Sequence, residues 1–253
     1  MPKPQVVKHE DKTQLTEQGS AKILAVIEEA LKSRDQAHLS LTGGSMGIAI
    51  WAVLKGSKRT QAIDWSKVHF WWSDERFVPT GYEDRNEQQA KDAFLDSVEI
   101  PAENLHIMGA SDAFENVDEA ATAYTAELAR YAQDGASAPV FDLTLLGMGP
   151  DGHIASLFPD REEILVEKTE AIAVCNSPKS PPTRVSLTLP LINNSRKIWF
   201  LIAGSDKAEA AARLIDAADD ADPDAQILRE TPAAGARALE ETLILITQDA
   251  LTA

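Results

Sequence analysis

Apolar residues recur along this chain in two alternating rhythms, one of helical and one of strand period. Over residues 16–34, Ile23, Ile27, Ala30 and Leu31 share a helical face, and Thr16 is placed to cap its start. A short strand is expected at 38–42, then glycines and a second helix through Ile48 to Leu54. Residues 67–72 predict the next strand. Beyond it, Asp84 and Glu87 have the spacing of a capping box opening a helix that turns Ala90, Ala93 and Phe94 inward. Residues 118–133 predict another amphipathic helix, with Ala121, Tyr124, Leu128 and Tyr131 in register. The unbroken apolar run 141–146 suits a strand covered on both faces. Further strands are expected at 171–176, 184–189, 197–203 and 242–247, a helix from Gly204 to about Asp216, and an acidic surface loop at 217–223. This alternation, with no repeat and no long linker, predicts one domain over residues 1–253. Its expected architecture is α/β, with a mostly parallel, Rossmann-like layered sheet and helices on both faces. In such sheets ligands gather beyond the carboxyl ends of the strands, so the loops leaving strands are where chemistry is sought.

Composition narrows the classes. Apolar residues make up 44% and charged residues 25%, enough to bury a core. No stretch reaches the roughly 18 apolar residues of a membrane helix, and the polar start lacks a signal-type apolar region. One cysteine, Cys175, excludes an internal disulfide and suits a reducing cytoplasm; its apolar setting predicts a buried strand position. The formal charge of −16, from 40 acidic and 24 basic residues, repels nucleic acid and anionic membranes. It would also repel an anionic substrate, so binding one requires a local convergence of basic side chains. The five histidines are widely spread with no paired ligand spacing, and neither a metal nor a cofactor is expected.

Three strand-end loops carry candidate chemistry. In the first, Thr42-Gly43-Gly44-Ser45-Met46-Gly47, glycines let backbone N–H groups approach an anion at a helix start, which suits phosphate. The same residues match the G-x-S-x-G elbow of serine esterases. That pattern needs several preceding strands and a late histidine, and no histidine follows His153. The second loop, residues 73–79 (SDERFVP), offers Arg76 to stabilise an oxyanion or grip phosphate. In an extended backbone Asp74 and Glu75 point opposite ways, so at most one faces a cleft. The third, residues 146–159 (LGMGPDGHIASLFP), contains a nominal dinucleotide fingerprint, but Pro159 leaves no room for the helix it requires. More telling is Asp151-Gly152-His153: histidine can activate water near neutral pH, and a carboxylate two residues away can orient its ring. Arg184, opening a strand, and Lys207, in the first turn after another, supply further positive charge; a cation at a helix start is unfavourable unless an anion sits nearby.

Taken together, these segments resemble the 6-phosphogluconolactonase family over nearly the whole chain. The resemblance rests on residues 42–45, 73–79 and 146–159, and extends through 100–106 (IPAENLH), 184–188 (RVSLT) and 204–208 (GSDKA). It implies a hydrolase of the pentose phosphate pathway, with a fold related to glucosamine-6-phosphate deaminases and ribose-5-phosphate isomerases. By this likeness His153 is the general base, Arg76 stabilises charge on the lactone carbonyl, and Asp74 and Asp151 position the pair. Gly43, Gly44, Ser45, Arg184 and Lys207 hold the phosphate, and Asn86 is a further candidate for contact with substrate. The implied partner is a phosphorylated sugar lactone, with no nucleic acid, membrane or obligatory protein partner. Two departures stand out: Met46-Gly47 replaces the family's usual Thr-Pro, and Arg85 stands where serine is common, adding positive charge near the expected cleft rim.

Two rivals share some of these features. Aminosugar-phosphate deaminases resemble the Asp-Gly-His segment but carry a glutamate five residues after the histidine, where this chain has Phe158. A sugar-phosphate sensor would keep Lys207 and the glycine loop, with no need of Arg76, Asp151 and His153 together.

Overall fold

The computed structural model describes residues 1–220 and 222–251. In chain order, β1 (Gln5–His9) leads into α1 (Lys12–Arg34), β2 (Ala37–Leu41), α2 (Gly44–Ala52) and the short α3 (Lys58–Gln61). Next come β3 (Val68–Trp72), β4 (Asp74–Arg76), α4 (Asn86–Ala93), α5 (Val117–Arg130) and β5 (Leu143–Gly147). The remainder is β6 (Ala171–Val174), β7 (Arg184–Leu187), α6 (Leu189–Asn193), β8 (Lys197–Ile202), α7 (Ala208–Asp216), α8 (Ala225–Glu230) and β9 (Glu241–Thr247).

Six strands form a parallel sheet in the order β1-β9-β8-β5-β2-β3. Successive side chains leave opposite faces, so each strand feeds two cores. Leu143 and Leu145 of β5 join Leu39, Phe70, Ile27 of α1, Trp51 of α2 and Phe94 on one side. Leu146, Phe200 and Ile244 join Tyr124 and Leu128 of α5 and Leu214 of α7 on the other. Covering both faces explains the uninterrupted apolar runs. Because the strands are parallel, the loops leaving β2, β3, β5 and β8 all emerge at one edge. Among the described residues no helix is long and apolar enough to cross a membrane.

A second, antiparallel sheet, β4-β7-β6, was not legible beforehand. Its first strand is three charged or polar-flanked residues, Asp74, Glu75 and Arg76, with no apolar alternation to mark it. Other expectations shift. Helix α1 starts at Lys12, capped by Asp11, whose carboxylate accepts from Gln14 N at 2.8 Å; Thr16 lies inside, its hydroxyl donating to the Lys12 carbonyl. Strand β1 went unforeseen, since Val6 and Val7 give too short a run. Helix α2 runs through Ile48 as expected, opening at Gly44 and ending at Ala52, short of Leu54. Cys175 is exposed just beyond the end of β6, not buried within a strand. Within the expected acidic loop at 217–223, Ala217–Asp219 is a 3-10 turn with Ala218 buried, while Ala221 lies outside the described residues.

Three histidines distant in sequence meet at the amino end of the sheet. His38 stacks on His69 with 4.6 Å between ring centroids, His69 Nδ1 lies 3.0 Å from His106 Nε2, and His106 stacks on Trp71 at 3.7 Å. Trp71 Nε1 donates to His38 Nδ1 at 3.1 Å, and Glu127 lies 2.9 Å from His106 Nδ1. Burial pushes His38 down from 6.5 to about 3, and His106 to about 4. The unfolded chain therefore takes up these protons before the folded one does. The stability contributed by the neutral rings is full above about pH 6.5 and is lost as the pH falls toward about 4 and 3. Urea midpoints should drop steadily from about pH 7 to about pH 4.5, and less steeply in His38→Asn, whose amide oxygen still accepts from Trp71. Identical pH dependence in both proteins would show that the stack is not the acid-sensitive element.

Candidate active site

At the carboxyl edge of the sheet, the loop after β2 presents the start of α2. Gly43 occupies the cap position with no side-chain cap, Gly44 has φ +76° and its N–H donates to Gln89 Oε1 at 3.4 Å, and Ser45 stands exposed in the first turn. Gly43 is also sterically required: a Cβ there would stand 1.8 Å from Asn86 Oδ1. Thr42 Oγ1 accepts from Gly147 N at 3.2 Å, which ties this loop to the end of β5. Lys207, at the cap position of α7, lies 3.0 Å from Asp206 and reaches the same cavity.

Pairing of β4 with β7 sets Arg76 directly opposite Arg184 and Asp74 opposite Ser186. Period-two alternation then sends Asp74, Arg76, Arg184 and Ser186 to one face and Glu75 to the other. Asp74 is 5% exposed and accepts from Asn86 Nδ2 (3.0 Å) and Ser156 Oγ (2.7 Å), with Arg184 Nη1 at 3.7 Å. It therefore orders Asn86 and Arg184 rather than Arg76 and His153. Arg184 donates to the carbonyls of Pro181, Lys179 and Ser180, and burial pulls its pKa down against the pull of Asp74. Arg76 donates to the Asp84 carbonyl, while its Nε has no partner.

Glu75, on the opposite face, replaces the expected Asp84–Glu87 capping box. Its two oxygens accept from Asn86 N (2.7 Å) and Glu87 N (2.9 Å), the first amides of α4, whose own cap residue, Arg85, supplies no side-chain bond. Burial pushes Glu75 up to about 7, opposed by the Arg85 guanidinium and these amides. Arg85 is 1% exposed and donates to the Met108 carbonyl at 2.7 Å; it stands behind the cleft wall, not at its rim.

The third loop turns at Gly149 and Gly152. A Cβ at Gly149 would sit 2.1 Å from His153 Nδ1, so only glycine lets the imidazole fold back over the turn. Gly152 has φ +92°. Asp151 Oδ1 lies 2.5 Å from His153 Nδ1. Burial acts to raise the Asp151 pKa, but the hydrogen bond and charge of His153, together with Lys179, hold it at about 2. Phe158 stacks on the imidazole at 4.6 Å and lies 5.8 Å from the Arg184 guanidinium carbon. No α-helix follows Gly152 before α6, which removes the dinucleotide fingerprint's structural context. The Ser45 hydroxyl bonds no histidine among the described residues, so the esterase elbow has no base.

A cavity of about 310 Å³ joins these parts. Gly43, Gly44, Ser45, Asp74, Arg76, Asn86, His153, Arg184 and Lys207 all line it, and Asp151 backs His153 from just outside the lining. One lining cation was missed: Lys179, whose Nζ lies 3.4 Å from His153 Nδ1 and 3.9 Å from Asp151 Oδ1. Burial and the nearby Lys207 and Arg184 pull its pKa down, against Asp151. The available signal was a single lysine inside Ser177-Pro178-Lys179-Ser180-Pro181-Pro182, a rigid turn entering the strand of Arg184.

A family model described as glucosamine-6-phosphate isomerases/6-phosphogluconolactonase matches residues 10–244. A 6-phosphogluconolactonase of Streptomyces coelicolor is 43% identical over 247 residues, covering 96% of this chain and 92% of its own. One from Mycobacterium tuberculosis is 45% identical over 231 residues, 90% of each chain. Among solved structures, the 6-phosphogluconolactonase of Thermotoga maritima aligns with TM-score 0.80 at 27% identity, over 97% of this chain and all of the other (100%). A monomeric glucosamine-6-phosphate deaminase, at 18% identity and TM-score 0.78 over 98% of this chain and 100% of its own, shares the fold.

The contact between Gly43 and Asn86 is open to a direct check. Gly43→Ala should lower stability by about 1–3 kcal/mol, the usual cost of overpacking. In the double variant with Asn86→Ala the two nearest atoms, Oδ1 and Cγ, are gone and only the Cβ at 3.2 Å remains, so the combined loss should fall short of the sum of the two single losses. Additive losses in thermal unfolding would mean that the two residues do not press on each other.

Proposed function

The chain belongs to the glucosamine-6-phosphate isomerase/6-phosphogluconolactonase family, and from that premise we propose that it hydrolyses 6-phosphoglucono-1,5-lactone, with His153 activating water. The observation that carries this reading is the joining, in one cavity, of an imidazole oriented by a carboxylate with four separate cations: Arg76, Lys179, Arg184 and Lys207. Asp151 occupies Nδ1, which leaves Nε2 as the nitrogen that takes a proton from water. The water oxygen bonds to C1 of the lactone, and the carbonyl oxygen becomes an oxyanion that the Arg76 guanidinium stabilises. Collapse breaks the bond between C1 and the ring oxygen, which takes the proton back from the imidazolium. A lactone is an activated ester, so these groups suffice without a covalent nucleophile, and neither metal nor cofactor enters the scheme.

The helix start at Gly44 and Ser45, with Lys207 and Arg184, forms the phosphate end, where a phosphate takes the Gly44 N–H from its long bond to Gln89. Arg184 keeps most of its donors on backbone carbonyls, so its part is charge and order more than direct bonds. Phe158, stacked under the imidazole, supports this chemistry over ring opening with proton transfer on carbon, because an apolar ring relays no proton. The reaction would take place in the cytoplasm.

Purified protein should release acid from the lactone well above the spontaneous rate; a rate no greater than the blank, with ammonia formed from glucosamine 6-phosphate, would replace the proposal with its deaminase rival. In His153→Ala, kcat should fall by about 10²–10⁴-fold with little change in KM, since the base acts in the transition state. Lys207→Ala should instead weaken binding about ten- to a hundredfold, as expected for one lost charge-assisted bond. Equal turnover of unphosphorylated gluconolactone would remove the phosphate assignment.

A further inference from the structure

We propose that Arg213, outside the cavity, is a positioning residue of this site: its guanidinium grips the backbone of the His153 loop and keeps the Asp151–His153 pair in register with Lys207 on the same helix. Helix α7 starts immediately after Lys207, and Arg213 follows about 9 Å further along it, at about 1.5 Å per residue. Its side chain spends all three nitrogens. Nη2 donates to the Asp151 carbonyl at 3.2 Å, Nε to Thr231 Oγ1 at 3.0 Å, and Nη1 to Glu209 at 3.0 Å.

Backbone bonds also tie the turn it grips. Gly149 N donates to the His153 carbonyl, Gly152 N to the Gly149 carbonyl, and Ala233 N to the Gly152 carbonyl, each at 3.0 Å. Gly152 packs so closely that an added Cβ would stand 3.2 Å from Thr231 Cγ2 and 3.6 Å from Arg213 Nη2. Thr231 is 3% exposed, so it offers a fixed second anchor. A lysine could satisfy one of these acceptors as a point charge, whereas the planar fork of arginine meets two in defined directions. Were Arg213 only a helix-surface partner of Glu209, spaced i,i+4, the pair would add a few tenths of a kcal/mol and leave the chemistry alone. Nε and Nη2 instead face inward, onto the loop that carries the base.

Helix α7 thus holds a phosphate-end cation at its head and the base loop near its far end. The proposal extends the lactonase reading, and its test separates the two. In Arg213→Ala, kcat should fall about ten- to a hundredfold, the scale of a displaced catalytic group, with KM within about twofold. Arg213→Lys should recover part of the lost kcat, since one acceptor of the two is met again. The C2–H proton resonance of His153, identified by its loss in His153→Ala, should change position at one fixed pH in Arg213→Ala without any substrate present, because the ring sits differently against Phe158 and Asp151. Unchanged kcat, or a lower kcat with an unmoved His153 resonance, overturns the proposal. If Arg213→Ala does not fold, Thr231→Val removes the Nε acceptor at constant shape, and an unmoved His153 resonance there overturns it equally. Wild-type protein inert toward the lactone would sink the lactonase reading, while the resonance would still decide the role of Arg213.

Discussion

One buried carboxylate, Asp74, holds four segments of the molecule to a common centre. It reaches Asn86 at the head of α4, Ser156 in the third loop and Arg184 at the start of β7, from its own place on β4. A charge taken out of water is costly unless paired and hydrogen-bonded, so these contacts form together or the carboxylate is not tolerated there. Each partner then orders something further. Asn86 packs against Gly43 and shapes the glycine loop after β2, and Arg184 clamps the turn that carries Lys179. A residue that touches none of the proposed reacting atoms thereby sets the walls of the cavity.

Charge explains why so much ordering is needed. The chain carries a formal charge of −16, yet four cations line one cavity, two of them directly opposed across β4 and β7. Like charges facing each other across strands are unfavourable. The structure offsets this with Asp74 beneath them, the carbonyls around Arg184 and the aromatic face of Phe158. The remaining unmet attraction is left to an anion.

Much of this was legible in the sequence. The helical and strand periods marked the parallel sheet, and three strand-end loops pointed to the cavity, because glycines beside Ser45 and Asp151 beside His153 are local signals. What the sequence hid was pairing between distant segments. Nothing in Asp74-Glu75-Arg76 signals a strand opposite Arg184, since three residues carry no period. Glu75 took over the cap that Asp84 was expected to provide, because its carboxylate arrives from another strand with both oxygens aimed at the first amides of α4. Lys179 was overlooked for the same reason: its closeness to His153 depends on a turn held by Arg184. The histidines seemed scattered only along the chain, and the sheet stacks three of them.

The ring of cations within a negative molecule also has a bearing on traffic. Opening a lactone adds a carboxylate, so the acid that leaves is more negative than the ester that entered. At short range the four lining cations attract both; farther out, the net charge of −16 repels both, weakened beyond about one Debye length, roughly 8 Å in physiological salt. That repulsion acts more strongly on the departing molecule than on the arriving one, so the charge of the whole protein favours departure over return.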